Sequence, residues 1–324
     1  MRAIVCREYG TPEDLVLNEL PDPTAGPGQV VVRVRAAAVN YPDVLLIAGK
    51  YQIKVPPPFT PGSEMAGDVR AVGDGVDLRP GDRVSATAFV GGFAEQILVD
   101  ARGLTPIPDG VDYADAAAFG VTNRTAYYTL RTVAPVRPGD WVVVLGAAGG
   151  VGLAAVDIAV LMGARVIAAA SGADKLEVCR QRGAAECIDY DREDLKARLK
   201  EITGEAGAQV VLDPVGGRYA EPALRGLGRG GRFVTLGYAS GEIPKIPLNL
   251  VMLKGITLVG MEIRTFATDY PDAIERDDAE LRQLFAGGKL RPYIGARFPL
   301  EQAPAALRYV ADRKAVGKVV IDVA

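Results

Sequence analysis

Apolar positions along this chain change their rhythm twice. In the opening part they come as short runs, at residues 4–6, 15–20, 29–37, 65–72 and 83–88, separated by glycine- and proline-rich breaks at 21–28, 56–62, 73–75, 80–81 and 91–92. Runs of that length between such breakers read as β-strands joined by irregular loops. From Asp112 the rhythm lengthens. Helix-like stretches at 114–119 and 122–133 lead through a turn at 135–140 into an apolar strand at 141–145. Helix and strand then alternate: helix 153–163, strand 165–170, helix 174–182 closed by Gly183, strand 186–189, helix 192–202, strand 209–212, helix 219–227, strand 231–236, helix 248–253 and strand 256–261. Such alternation builds a parallel sheet with helices on both faces. The tail, through 273–285, 297–299, 302–311 and 317–322, returns to the mixed texture of the opening. The predicted architecture is therefore α/β: a doubly wound parallel sheet over 122–263, inserted in a mainly β domain made of 1–121 and 264–324.

The glycine cluster after the 141–145 strand locates the first candidate site. It reads Gly146-Ala-Ala-Gly149-Gly150-Val-Gly152, so Ala147, Gly149 and Gly152 occupy the three places of a G-x-G-x-x-G pattern, the first glycine being replaced. Gly149 lacks a Cβ and lets backbone approach a pyrophosphate, Gly150 eases the turn, and Gly152 lets the helix press on the sheet. Around Ala148 to Val151 the unpaired N–H groups of the helix start point at the phosphates. The pattern has weight because a strand precedes it and a helix follows.

Composition narrows the chemistry. Of 324 residues 49% are hydrophobic and 24% charged, as in an ordinary globular protein, and the length suits two domains. A net charge of −3 without a basic block gives no reason to expect nucleic acid or membrane as a partner. Residues 1–10 carry Arg2, Arg7 and Glu8 and no signal-peptide core, and no apolar run is long enough to span a bilayer, so a cytoplasmic location is expected. The three cysteines, Cys6, Cys179 and Cys187, lack metal-type spacing and read as core or surface thiols. Histidine is absent. That removes a histidine base, a Ser-His nucleophile and a histidine-ligated zinc, and leaves tyrosine, lysine, carboxylates or a redox cofactor.

The order of parts resembles the medium-chain dehydrogenase/reductase superfamily, in its zinc-free, zeta-crystallin-like quinone oxidoreductase branch. The resemblance rests on Val39-Asn40-Tyr-Pro-Asp43, Pro61-Gly-Ser-Glu-Met-Ala-Gly67, Gly73-Asp-Gly75, Pro80-Gly-Asp-Arg-Val84, Thr125-Ala-Tyr127, Pro138-Gly-Asp140, the cluster Ala147 to Gly152, and Gly317-Lys-Val-Val320. It implies a Rossmann-type sheet inserted in a GroES-like catalytic domain. Metal-dependent members of the superfamily have a zinc-binding histidine and an earlier cysteine where this chain has Ser63 and the 40–43 segment, and the four-cysteine structural lobe is missing. No metal site is expected.

An NAD site wants a carboxylate at the tip of the second strand. Here the tip reads Ala170-Ser171-Gly172, with Lys175 one helical turn on and Tyr190 after the third strand. A cation and two hydroxyls suit a 2′-phosphate that a carboxylate would repel, and the resemblance implies the same trio, so NADPH is expected. It further implies that Asn40 and Tyr51, read as lying in a loop over the nicotinamide, serve catalysis: Asn40 by hydrogen-bonding cofactor or substrate, Tyr51 by donating a proton or covering the ring. Asp43 and Glu64 are expected to be structural hydrogen-bond partners. Thr122 resembles a family residue near the nicotinamide. Val215 and Gly216 after the fourth strand, and Leu236, Gly237 and Tyr238 after the fifth, fall at carboxyl ends of parallel strands, where cofactors bind.

Without a metal or a histidine relay, an electron-poor acceptor is the natural substrate, because conjugation spreads the charge that hydride transfer creates. Quinone or α,β-unsaturated carbonyl reduction is the leading expectation. Reduction of an enoyl or acryloyl thioester, or a cofactor-binding protein with little turnover, are the alternatives. The apolar strand at 256–261 would be a sheet edge needing cover, and with the resemblance it predicts a homodimer paired between Ile256 and Met261.

Overall fold

A computed structural model describes residues 1–323. Its contacts divide the chain into two units, Met1–Val121 with the segment from Arg291 onward, and Thr122–Leu290.

In the second unit six strands form one parallel sheet, in the order Glu186–Asp189, Arg165–Ala170, Trp141–Leu145, Ala208–Asp213, Leu227–Thr235, Thr257–Gly260. The chain starts in the middle, winds outward to one side, then crosses to the other, so the strand order reverses beside Trp141–Leu145. That switch point is where an open α/β sheet leaves a crevice for a ligand. Val142 to Leu145 and Val166 to Ala170 are buried because helices cover both faces, which is why these strands read as continuous apolar runs rather than alternating ones.

The spine of the first unit is the eleven-residue strand Gln29–Val39. Its first half pairs with Gln96–Asp100 and its second half with Lys318–Asp322, while Glu64–Val72 runs along its other edge. The pairing is antiparallel and brings Ala38 opposite Glu64 and Val39 opposite Val319. Residues far apart in sequence therefore meet where this strand ends, at Asn40.

Three expectations are corrected. The 40–51 region is not all loop: Tyr41–Ile47 is a helix, started by Pro42 in its first turn and by the Asp43 carboxylate, which accepts the Asn40 N–H at 2.8 Å. The helix-like stretches at 114–119 and 122–133 form one helix, Tyr113–Tyr128, that loosens into a π-helical turn over Thr129–Val133. Residues 264–290, assigned from sequence to the β domain, belong to the second unit. There the helix Pro271–Ala286 presents Asp277 and Glu280 to Thr132, Tyr127 and Arg131, with Thr132 Oγ1 donating to Asp277 Oδ2 at 2.6 Å and Tyr127 Oη donating to Glu280 Oε2 at 2.6 Å. These are side-chain contacts between segments about 150 positions apart, which local pattern does not encode.

Candidate active site

The strand Trp141–Leu145 delivers the chain into a turn, and the helix Gly150–Leu161 leaves it. Gly146 takes φ +59, and a Cβ there would stand 2.8 Å from Val215 Cγ2. A Cβ on Gly152 would come within 2.2 Å of the Gly146 carbonyl oxygen. Contact that close leaves room for no side chain at 152, and it makes Gly146 an essential part of the turn although the motif alone does not single it out. At Gly149 a Cβ would lie 3.3 Å from the same oxygen, so glycine is required there for what approaches from outside more than for the fold. The first N–H groups of the helix, at Gly150, Val151 and Gly152, have no partner within it, and no acidic side chain stands in its first turn. This cradle fits a pyrophosphate. Ala148, buried, lies in the turn itself.

The second strand runs out into Ser171 and Gly172, and Lys175, with Asp174 beside it, lies in the first turn of the helix Ala173–Gln181. Tyr190 follows the third strand, its N–H donating to the Ala170 carbonyl at 3.3 Å, so the chain at Tyr190 runs beside the second-strand tip. A carboxylate is nearby after all: Asp189, largely buried, accepts from the N–H groups of Gly172 at 3.3 Å and Asp191 at 3.2 Å. It ties the two loops together and is thereby occupied. Two residues missed in the sequence stand here as well. The Tyr190 ring centroid is 4.1 Å from that of Tyr219, whose hydroxyl donates to Asp191 at 2.6 Å, and the Arg218 guanidinium lies over the Tyr219 ring while binding Asp191 at 2.8 Å. Only the Gly216-Gly217 turn before them signals that they sit at the sheet's carboxyl end.

Val215, Gly216, Leu236, Gly237 and Tyr238 follow carboxyl ends of strands in the same sheet. Asp213, fully buried at the end of the fourth strand, accepts from the N–H groups of Val215 at 2.8 Å and Gly216 at 2.7 Å; burial pushes its pKa up, and these two donors oppose the rise. Val215 and Gly216 thus have their N–H groups committed, leaving side chain and Cα to touch a ligand. Leu236 donates to the Asp213 carbonyl and Ala239 to that of Pro214, so the loop bearing Gly237 and the half-exposed Tyr238 is laced to the 214–216 turn. Thr122 is buried within the helix Tyr113–Tyr128.

In the first unit, Asn40, Asp43, Ser63, Glu64 and Lys318 form a buried polar cluster. Lys318 Nζ donates to Asn40 Oδ1 at 2.6 Å and to Glu64 Oε2 at 3.0 Å; Asn40 Nδ2 donates to Glu64 Oε2 at 2.8 Å and to Ser63 Oγ at 3.2 Å; Glu64 Oε1 accepts the N–H of Val121. Lys318 and Glu64 are 3% and 2% exposed, so this ion pair is desolvated and depends on the added hydrogen bonds for its balance. Gly120 is obligatory beside it, since a Cβ there would come within 2.8 Å of Glu64 Oε1. The inventory restricts Asn40: both amide hydrogens have acceptors and the oxygen has a cationic donor, so the amide has one orientation and can only accept one further bond. Asp43 has no exposed surface, and burial pushes its carboxyl up to about 7 despite the hydrogen bond from the Asn40 N–H and the attraction of Lys318. Tyr51 is half-buried against the core of this unit, its ring centroid 6.3 Å from that of Phe89. Among the described residues no three Cys, Asp or Glu side chains are grouped to hold a metal ion.

Residues 26–109 match the alcohol dehydrogenase GroES-like domain and residues 150–277 the zinc-binding dehydrogenase family. The chain is 38% identical to a quinone oxidoreductase-like protein 2 homolog of Nematostella vectensis, over 99% of this chain and 88% of the relative, and 35% identical to a quinone oxidoreductase of Pseudomonas aeruginosa, over 97% of each. The crystal structure of Escherichia coli quinone oxidoreductase complexed with NADPH superposes with a TM-score of 0.91 at 29% identity, covering 99% of this chain and all of the other.

Proposed function

The chain belongs to the quinone oxidoreductase family of medium-chain dehydrogenases/reductases, and we propose on that premise that it reduces quinones or α,β-unsaturated carbonyls without a metal. NADPH is the cofactor. It supplies the hydride, and the protein's task is to hold it, to exclude water and to receive the charge that develops on the acceptor. In this reading Ala148, Gly149, Gly150 and Val151 take the pyrophosphate, Ser171, Lys175 and Tyr190 the 2′-phosphate, and Thr122, Val215, Gly216, Leu236, Gly237 and Tyr238 line the rest. Asn40 accepts a hydrogen bond from the ligand, and Tyr51 shields or protonates the acceptor.

The observation that carries the reading is the second-strand tip, where Lys175 follows Ser171 while Asp189, the carboxylate at the neighbouring strand tip, is consumed by backbone N–H groups. The test is consumption of NADPH and of NADH with quinones, enals and enoyl thioesters, in the presence of a chelator. Faster turnover of quinones or enals with NADPH is expected. Preference for the thioester would move the substrate class, and tight NADPH binding with no turnover of any acceptor would make the protein a binder.

We also propose a homodimer. The strand Thr257–Gly260 ends the sheet, Leu258 on it is exposed, and the helix before it exposes Leu248, Met252 and Leu253, Met252 by 74%. An apolar edge of this kind is covered by a second copy. Light scattering at micromolar concentration should give twice the 34.1 kDa chain mass; a monomer would refute it. A cytoplasmic location is part of the same reading, to be checked by fractionation.

A further inference from the structure

Tyr190 and Tyr219 lie in different loops of the second unit, after strands that are not neighbours. Tyr190 follows Glu186–Asp189 at one edge of the sheet and Tyr219 follows Ala208–Asp213, with the strands Arg165–Ala170 and Trp141–Leu145 between them. Three strand spacings amount to roughly 14 Å, yet the two ring centroids are 4.1 Å apart. The loops therefore reach toward each other across the width of the two middle strands, whose carboxyl ends lead into the glycine turn and Ser171. Backbone ties the same end together: the Ala147 N–H donates to the Ala169 carbonyl at 3.1 Å, and the Tyr190 N–H to that of Ala170 at 3.3 Å.

Both sides of this bridge are held. On the Tyr219 side, Gly216 and Gly217 take φ +68 and +56, which turns the chain sharply after Asp213. The Gly216 N–H donates to Asp213 Oδ1 at 2.7 Å and the Gly217 N–H to the Glu242 carbonyl at 3.0 Å. On the Tyr190 side, Asp189 accepts from Gly172 and Asp191, while its own N–H donates to Glu193 Oε1 at 2.7 Å. Between the two sides three bonds close a triangle. Arg218 Nη2 donates to Asp191 Oδ1 and to Tyr219 Oη, both at 2.8 Å, and Tyr219 Oη donates to Asp191 Oδ1 at 2.6 Å. The Arg218 guanidinium carbon stands 4.9 Å from the Tyr219 ring centroid. The ion pair is exposed, Arg218 by 71% and Asp191 by 45%, so its charge adds little stability. Its effect is geometric: it fixes the Tyr219 hydroxyl, and with it the ring against which Tyr190 packs.

We propose that Tyr219 is a positioning residue for Tyr190 and thereby sets the preference of this protein for NADPH over NADH, with Asp191 and Arg218 locking Tyr219 in place. The proposal rests on the reading above that Tyr190 takes the 2′-phosphate. A hydrogen bond from a phenol to a phosphate needs the ring in one orientation. The contact with Tyr219 selects that orientation before the cofactor arrives. Without the aromatic partner the ring is free to leave it, and the fraction of molecules ready to bind falls by roughly 2- to 10-fold. NADH lacks the 2′-phosphate, so its binding does not depend on where the Tyr190 hydroxyl points.

The experiment measures binding rather than turnover. The full chain is titrated with NADPH and with NADH, following nicotinamide fluorescence, as wild type, Tyr219→Ala, Tyr219→Phe, Tyr190→Phe and the double variant Tyr190→Phe/Tyr219→Ala. Tyr219→Ala should raise the Kd for NADPH by roughly 2- to 10-fold and leave that for NADH unchanged. Tyr219→Phe, which keeps the ring, should recover most of the loss. Tyr190→Phe should weaken NADPH alone by about 10-fold or more, as expected for one hydrogen bond to a charged group. Adding Tyr219→Ala to Tyr190→Phe should then weaken NADPH no further, because a residue that acts through another has no effect once that one is gone. A Tyr219→Ala protein that loses affinity for both cofactors alike, or for neither, overturns the proposal, as does a further loss of NADPH affinity in the double variant. If Tyr190→Phe leaves the ratio of NADPH to NADH affinity where it is, the 2′-phosphate assignment of Tyr190 falls and the proposal falls with it.

Discussion

The ammonium of Lys318 reaches the amide oxygen of Asn40 at 2.6 Å across 278 positions of sequence, and this contact decides which way the amide faces. Its removal should be felt first in stability. Lys318→Met would leave Glu64 buried without its cation, at a cost of about 3–5 kcal/mol in urea unfolding. The double variant Lys318→Met/Glu64→Gln should recover part of that loss, since the uncompensated charge is gone. Additive losses in the double variant would mean that the pair is not coupled.

The glycine turn offers a separation between folding and binding. Gly152→Ala forces a methyl to within 2.2 Å of the Gly146 oxygen, so the helix must shift; unfolding should be easier by about 1–3 kcal/mol, and NADPH binding should weaken with it. In Gly149→Ala the nearest backbone atom is 3.3 Å away, so the melting temperature should barely move while the Kd for NADPH rises. Calorimetry on both variants, by unfolding and by NADPH titration, checks the contrast.

Lys175→Ala should change cofactor choice more than rate. One charge-assisted hydrogen bond to a phosphate contributes about 1.5–3 kcal/mol, so kcat/KM with NADPH should drop by roughly 10- to 100-fold while that with NADH stays level. An equal fall with both cofactors would place Lys175 outside the 2′-phosphate site.

Asp43 also carries a stability prediction. Its folded-state carboxyl is raised to about 7, above the value of an unfolded aspartate, so the folded protein binds the extra proton. The resulting stabilisation is complete in acid below the unfolded value, is lost as pH climbs toward 7, and amounts to something on the order of 4 kcal/mol. Asp43→Asn removes the slope. Denaturant unfolding of both proteins across this range should show curves that diverge in favour of the variant as pH rises; parallel curves would mean that Asp43 is already ionised.

Much of this protein is legible along the chain. Strand and helix periods are local properties, so the alternation after Asp112 was enough to call a parallel sheet, and the spacing of Gly149 and Gly152 after an apolar strand located the cradle. The absence of histidine is a matter of counting. What local pattern could not settle was every feature made by side chains meeting across the sequence. Helix 271–286 is amphipathic wherever it docks, and only its contacts with Tyr127, Arg131 and Thr132 assign it to the second unit. Tyr219 and Arg218 gather around Tyr190 because the loops after two strand ends reach each other. Asn40 is matched by its motif, but its side-chain partners follow only from the antiparallel register that sets Ala38 against Glu64 and Val39 against Val319. That register, chosen by the burial of one face of a strand and not by any residue at the site, is what brings Lys318, Glu64, Ser63 and Asp43 around one amide.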